Sequence, residues 1–113
     1  MAFQQEQLEE LKSITPSVKA ATEGGYTFLF IERLELPDGC TPYQTDVLLC
    51  PTPREGYESR LFFACQISCM AGLNWNGTIR VLDRTWYAYS WRTKSNLRLA
   101  EMLIVHLSAL RKK

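Results

Sequence analysis

Thiolate is the strongest nucleophile among protein side chains, so chemistry in this chain starts with Cys40, Cys50, Cys65 and Cys69. Cys40 falls at a turn, Cys50 ends a strand-like run, and Cys65 and Cys69 flank Gln66-Ile67-Ser68. A structural zinc site repeats a close cysteine or histidine pair twice. Only one close pair occurs here, so no metal is expected. Free cysteine packs as a small hydrophobe, and that reading suits Cys50 and Cys65. Cys69 opens an irregular stretch and is the candidate reactive thiol. At an ordinary pKa of about 8.5 only a few per cent of it is thiolate at neutral pH, a share that nearby arginines would raise. His106, the one histidine, sits among leucines. It is expected at the core edge, bonded to a backbone carbonyl.

Other chemistries lack their residues. The C-terminal half holds two acids, Asp83 and Glu101, so it has no carboxylate pair for hydrolysis. Neither Gly-x-Gly-x-x-Gly nor a phosphate-cradling Gly-Lys-Ser/Thr occurs, and Gly24-Gly25 alone is weak. No nucleotide or other cofactor is implied.

The most distinctive segment is Trp86-Tyr87-Ala88-Tyr89-Ser90-Trp91, flanked by Arg84 and Arg92. Half of these rings must be core, and the rest suit a recognition surface, since Trp, Tyr and Arg dominate binding hot spots. Charge is also unevenly spread. Residues 1–58 carry ten acids and four bases, whereas residues 59–113 carry nine bases and two acids. Either the two halves attract one another, or Arg80, Arg84, Arg92, Lys94 and Arg98 form a patch for an acidic partner. Nucleic acid is not that partner, because the sequence pI of about 7.6 lacks the usual basic signature.

The elements that must position these residues follow from periodicity and turn chemistry. Residues 2–14 place Phe3, Leu8, Leu11 and Ile14 on one side of a helix that Pro16 stops. Gly24-Gly25 punctuates the entry to a strand over 26–34. Leu36-Pro37-Asp38-Gly39 is a turn, and 45–50 a second strand. A third strand over 61–67 is apolar on both faces, as a covered central strand is. Residues 68–77 read as a loop ending in a tight Asn76-Gly77 turn. Short strands follow at 78–82 and 86–91. Ser95 caps a final helix to about residue 110, with Leu99, Met102, Leu103, His106, Leu107 and Leu110 on one face. The fold class is α+β: an N-terminal helix, a four- to five-stranded antiparallel meander, an irregular loop and a C-terminal helix, residues 1–113 forming one domain. No apolar run is long enough to span a membrane. The acidic start is unlike a signal peptide, so a cytoplasmic location with reduced cysteines is expected.

This order resembles the ubiquitin-conjugating-enzyme (UBC) fold, in which an irregular loop after a four-stranded meander bears the active thiol. Leu36-Pro37-Asp38-Gly39 before a strand, Val47-Leu48-Leu49, Gly56-Tyr57 at the next turn, and Trp86 with Ser90 are similar to the short prokaryotic UBC-like family. Its members are encoded beside ubiquitin-like proteins, their activating enzymes and JAB-type peptidases. Asn76-Gly77-Thr78-Ile79 resembles the Asn-Gly-Ser-Ile that precedes the catalytic cysteine. Continuing that motif puts Arg80 at the thioester position. The family's His-Pro-Asn is Met70-Ala71-Gly72 here, and its Tyr-Pro is Tyr57-Glu58.

The resemblance implies a component of a bacterial ubiquitin-like conjugation pathway, with a ubiquitin-like protein and its activating enzyme as partners. Such an enzyme holds the modifier's carboxyl as a thioester and needs an amide for the oxyanion. Here Cys69 would be the nucleophile and Asn74 or Asn76 the amide. The alternative is a non-catalytic UBC-like module that binds its partner through Arg80, Arg84, Trp86, Trp91 and Arg92.

Overall fold

The computed structural model describes residues 5–15, 17–53, 56–69, 73–94 and 96–111. Helix α1 (Gln5–Ile14) carries Glu6 in its first turn and Lys12 in its last, each sign matched to the helix dipole. It buries Leu11 completely, with Leu8 packed beside it. Phe3 and Pro16, assigned to the helix and its stop, lie outside the described residues.

Six strands follow among the described residues: β1 (Val18–Glu23), β2 (Tyr26–Glu35), β3 (Gln44–Cys50), β4 (Arg60–Phe63), β5 (Trp75–Val81) and β6 (Arg84–Tyr89). They form one antiparallel sheet in the order β1-β2-β3-β4-β6-β5. The expected four- to five-stranded meander is therefore corrected at both ends. β1 was not anticipated, and β6 sits beside β4 so that β5 takes the edge.

Local chemistry accounts for both departures. Gly24 and Gly25, at φ of 61° and 82°, form the two-residue turn of the β1–β2 hairpin. β1 reads Val-Lys-Ala-Ala-Thr-Glu, poor in strand formers, and is largely exposed. Its charges suit an edge that must resist pairing with other chains. At the other end, Asn76-Gly77 is not a turn but part of β5. The hairpin turns instead at Leu82-Asp83, both at positive φ (55° and 60°).

The sheet buries both faces. On one, Leu29, Ile31, Val47, Leu49, Leu61, Phe63 and Tyr89 pack against α1 and α2 (Leu99–Ser108), which extends into a 3₁₀ turn, Ala109–Arg111. α2 contributes Leu99, Leu103 and His106, with Met102 and Leu107 beside them. It begins at Leu99 with Arg98 as the residue before it, whose N–H donates to Glu101 Oε1 (2.8 Å). Ser95, the expected cap, lies outside the described residues.

On the other face Phe28, Leu48, Cys50, Phe62, Trp86 and Ala88 are wholly inaccessible. Curvature explains their burial. Strands lie about 4.8 Å apart, so β2 and β6 would be roughly 14 Å apart in a flat sheet. Yet the rings of Phe30 (β2) and Trp86 (β6) meet edge to face at 6.0 Å. The sheet is rolled toward a half-barrel around its own aromatic side chains.

Opposite charges hold the roll and the helices. Arg84 pairs with Asp46 at 3.1 Å, the Glu23 carboxylate accepts the Leu82 N–H, and Arg98 bridges to Glu10 and Glu6. The acidic first half and the basic second half meet each other.

Candidate functional site

The polar side chains converge at the end of the sheet where β4 begins and β6 stops. Tyr57, in the turn before β4, is nearly buried. Asn76 Nδ2 donates to the Tyr57 hydroxyl (3.0 Å), which also shares a hydrogen bond with Ser90 Oγ (3.1 Å). The two bonds, led by Ser90, with the charges of Arg60 and Arg92, hold the Tyr57 phenol below its ordinary pKa.

Two guanidinium groups flank that ring. Arg60 lies 4.1 Å from its centroid and Arg92 5.0 Å, both in cation–π range. Arg60 is only 4% exposed, and it donates to Asn76 Oδ1 and to the Tyr89 carbonyl. Its room comes from Gly77, where a Cβ would approach Arg60 Nη1 to 3.0 Å. A strand glycine here marks the close approach of another side chain. Arg92 is exposed, and its Nη1 donates to the Gly56 carbonyl at 2.6 Å.

Beneath this layer Ser59 Oγ lies 2.9 Å from His106 Nε2 and 3.0 Å from Thr93 Oγ1. Burial, aided by the Arg60 charge, lowers the His106 pKa to about 4, so the ring is neutral at pH 7. Serine beside a neutral imidazole has the composition of a nucleophile and its base. Ser59 is 1% exposed and His106 2%, however, so no substrate reaches them. The pair ties α2 to the start of β4. His106 was expected on a backbone carbonyl and instead meets a serine hydroxyl; its own carbonyl accepts the Tyr89 hydroxyl at 2.8 Å.

The candidates read from sequence separate into different places. Cys69 is half-buried, packs on the helix-side core, and neighbours the Cys40 thiol, whose pKa it helps to raise. Asn74 is exposed, and its carbonyl accepts the Ser90 N–H. The Asn76 amide is taken up by Arg60 and Tyr57. Thiol and amide therefore have separate partners. Of the other thiols, Cys50 is buried as expected, whereas Cys65 is only partly so.

The partner-binding set is also divided. Trp86 is 0% exposed and its indole N–H donates to the Val81 carbonyl, so it is corrected from surface to core. Arg84 lies over Trp86 and pairs with Asp46. Arg80 is exposed, but its guanidinium donates to Thr85 Oγ1 and the Asp83 carbonyl of its own hairpin. Trp91 is half-buried against the helix-side core. Arg80 faces Thr85 across the hairpin. Thr85 is near the start of β6 and Arg92 lies beyond its end at Tyr89, so Arg80 and Arg92 sit toward opposite ends of that strand.

Tyr57, Ser59 and Arg60 were missed as site residues. A serine and an arginine give no sign of burial in sequence. The available signals were Gly56-Tyr57, quoted for the family resemblance, and a glycine inside a strand.

Among the described residues no three His, Cys, Asp or Glu side chains gather as a metal site, and no helix is long and apolar enough to cross a membrane. No family model, curated protein or solved structure matches the chain.

Proposed function

We propose that this chain is a UBC-like binding module of a bacterial ubiquitin-like conjugation pathway, which holds a ubiquitin-like protein or its activating enzyme and forms no thioester. The UBC-like part of this reading rests on the order of helix, antiparallel strands and helix. It also rests on the family-like Tyr57 and Ser90, which meet in space.

The observation that carries the binding reading is Arg92. It is an exposed cation fixed by the Gly56 carbonyl and the Tyr57 ring at the rim of a rigid polar cluster. A guanidinium has five N–H donors, and the Gly56 bond uses one of them. An anchored arginine with donors to spare suits a partner's carboxylate, particularly by bidentate pairing. Against transfer chemistry, Arg80 occupies the thioester position of the motif, and Asn76 is committed to Arg60 and Tyr57.

The test is calorimetric titration with a ubiquitin-like protein and an activating enzyme of a bacterial conjugation pathway. One of them should bind, Arg92→Ala should weaken binding about tenfold, equivalent to about 1.4 kcal/mol, and Cys69→Ser should bind as the parent does. A companion reaction with activating enzyme, ATP and modifier is run on a non-reducing gel. A thiol-sensitive adduct lost only in Cys69→Ser would overturn this reading in favour of the transferase.

A further inference from the structure

We propose that Cys40 and Cys69 are a redox-modifiable pair that closes reversibly into a cross-strand disulfide. Thr41 N donates to the Ser68 carbonyl (2.7 Å) and Ser68 N to the Thr41 carbonyl (2.9 Å), so these residues form a hydrogen-bonded antiparallel pair. The bridge is isolated, but carrying its register one residue further sets Cys40 opposite Cys69, in the non-hydrogen-bonded position. Such pairs bring their Cα atoms to about 4.5 Å, at the short end of the roughly 4.4–6.8 Å that disulfides span.

The side chains follow the backbone. Neither cysteine is in a disulfide, the Cys69 sulfur lies near enough to raise the Cys40 pKa, and both pack into the helix-side core that contains Tyr89. Their environments differ in a way that orders the chemistry. Cys40 is 7% exposed, and burial together with the neighbouring sulfur pushes its pKa up, so it keeps its proton. Cys69 is only half-buried and is the sulfur that an oxidant reaches first.

With a hydroperoxide as oxidant, the Cys69 thiolate attacks one peroxide oxygen. The O–O bond breaks, Cys69 becomes a sulfenic acid, and the alcohol leaves with the other oxygen. Cys40 sulfur then attacks Cys69 sulfur. The S–S bond forms, the S–O bond breaks, and the hydroxyl takes the Cys40 proton and leaves as water. Two thiols and one hydroperoxide thus give one disulfide, one alcohol and one water. A dithiol reverses the step through a mixed disulfide at Cys69 and is itself oxidised to a disulfide.

The experiment treats the whole chain with cumene hydroperoxide under native conditions, then unfolds it and counts thiols. Free thiols should fall from the four of the reduced chain to two, with a mass loss of about 2 Da. Dithiothreitol should restore all four. The double variant Cys50→Ala/Cys65→Ala should behave identically in losing two thiols, and Cys40→Ser should not form the disulfide. Peptide mapping of the untreated and oxidised parent supplies the same answer without variants. Four thiols persisting after oxidation, a bond to Cys50 or Cys65, or closure only in denaturant would each overturn the proposal.

Discussion

Acidification should destabilise the protein through His106, and the size of that effect follows from burial. The imidazole has a folded pKa of about 4 against an ordinary 6.5, because burial, and next the Arg60 charge, disfavour its protonated form. Between those values the unfolded chain binds a proton that the folded chain refuses. Stability is therefore complete above pH 6.5 and falls as pH drops, until the folded state protonates near pH 4. At about 1.4 kcal/mol per pH unit the full loss is about 3 kcal/mol. Between pH 7.5 and 5.0 about 2 kcal/mol should disappear, moving the urea midpoint down by roughly 1 M. Glu10, held low chiefly by its bond to Arg98, acts only below the ordinary 4.5 and leaves that window clear. His106→Gln should flatten the dependence in the same range. Because His106 is the one histidine, its ring proton resonances also report directly, and they should not titrate above pH 5. An ordinary histidine titration near 6.5, or an equally steep loss in His106→Gln, would refute the reasoning.

Gly77→Ala should cost about 1 kcal/mol despite the better strand propensity of alanine. The new Cβ meets an Arg60 guanidinium held by Tyr57, Asn76 and Tyr89, and the cost should vanish when Arg60 is also replaced by Met, as a double-mutant cycle in urea would show. In ultraviolet titration of the five tyrosines, Tyr57→Phe should remove the earliest step, and Asn76→Ala should move that step toward the ordinary 10.0. Phe62→Ala should destabilise by about 3–5 kcal/mol by calorimetry, since the ring is wholly buried and its loss leaves a cavity.

Periodicity made α1 and α2 legible, since each turns one apolar face to the core. β2 and β3 were legible instead from their aromatic and branched residues, which serve both faces of the sheet. β4 was legible as central because Leu61, Phe62 and Phe63 serve both faces. β1 was hidden because an edge strand selects against the apolar alternation that reveals strands. The last hairpin was misplaced for a sharper reason. Asn-Gly is the common two-residue turn, whereas leucine seldom adopts positive φ, yet the chain turns at Leu82-Asp83 and spends Gly77 on making room for Arg60. The roll of the sheet was also illegible. It decides that Trp86 is core, through a contact with Phe30 across two intervening strands.

The same roll bears on why the polar cluster lies where it does. With one face filled by rings and the other by helices, the end of the sheet where β4, β5 and β6 meet is left for polar groups. Arg60, Ser59, Thr93, His106 and Tyr89 connect there through hydrogen bonds and charge, largely shielded from water. Such a network rarely stabilises a fold better than apolar residues of equal volume, because burying a guanidinium is costly even when it is well bonded. What it does achieve is position: Arg60 and Asn76 together fix the Tyr57 ring and hydroxyl from two sides, and that ring in turn underlies Arg92 at the surface. A surface cation oriented by a ring that is itself fixed from two sides is the arrangement that the proposed recognition of an anionic group requires.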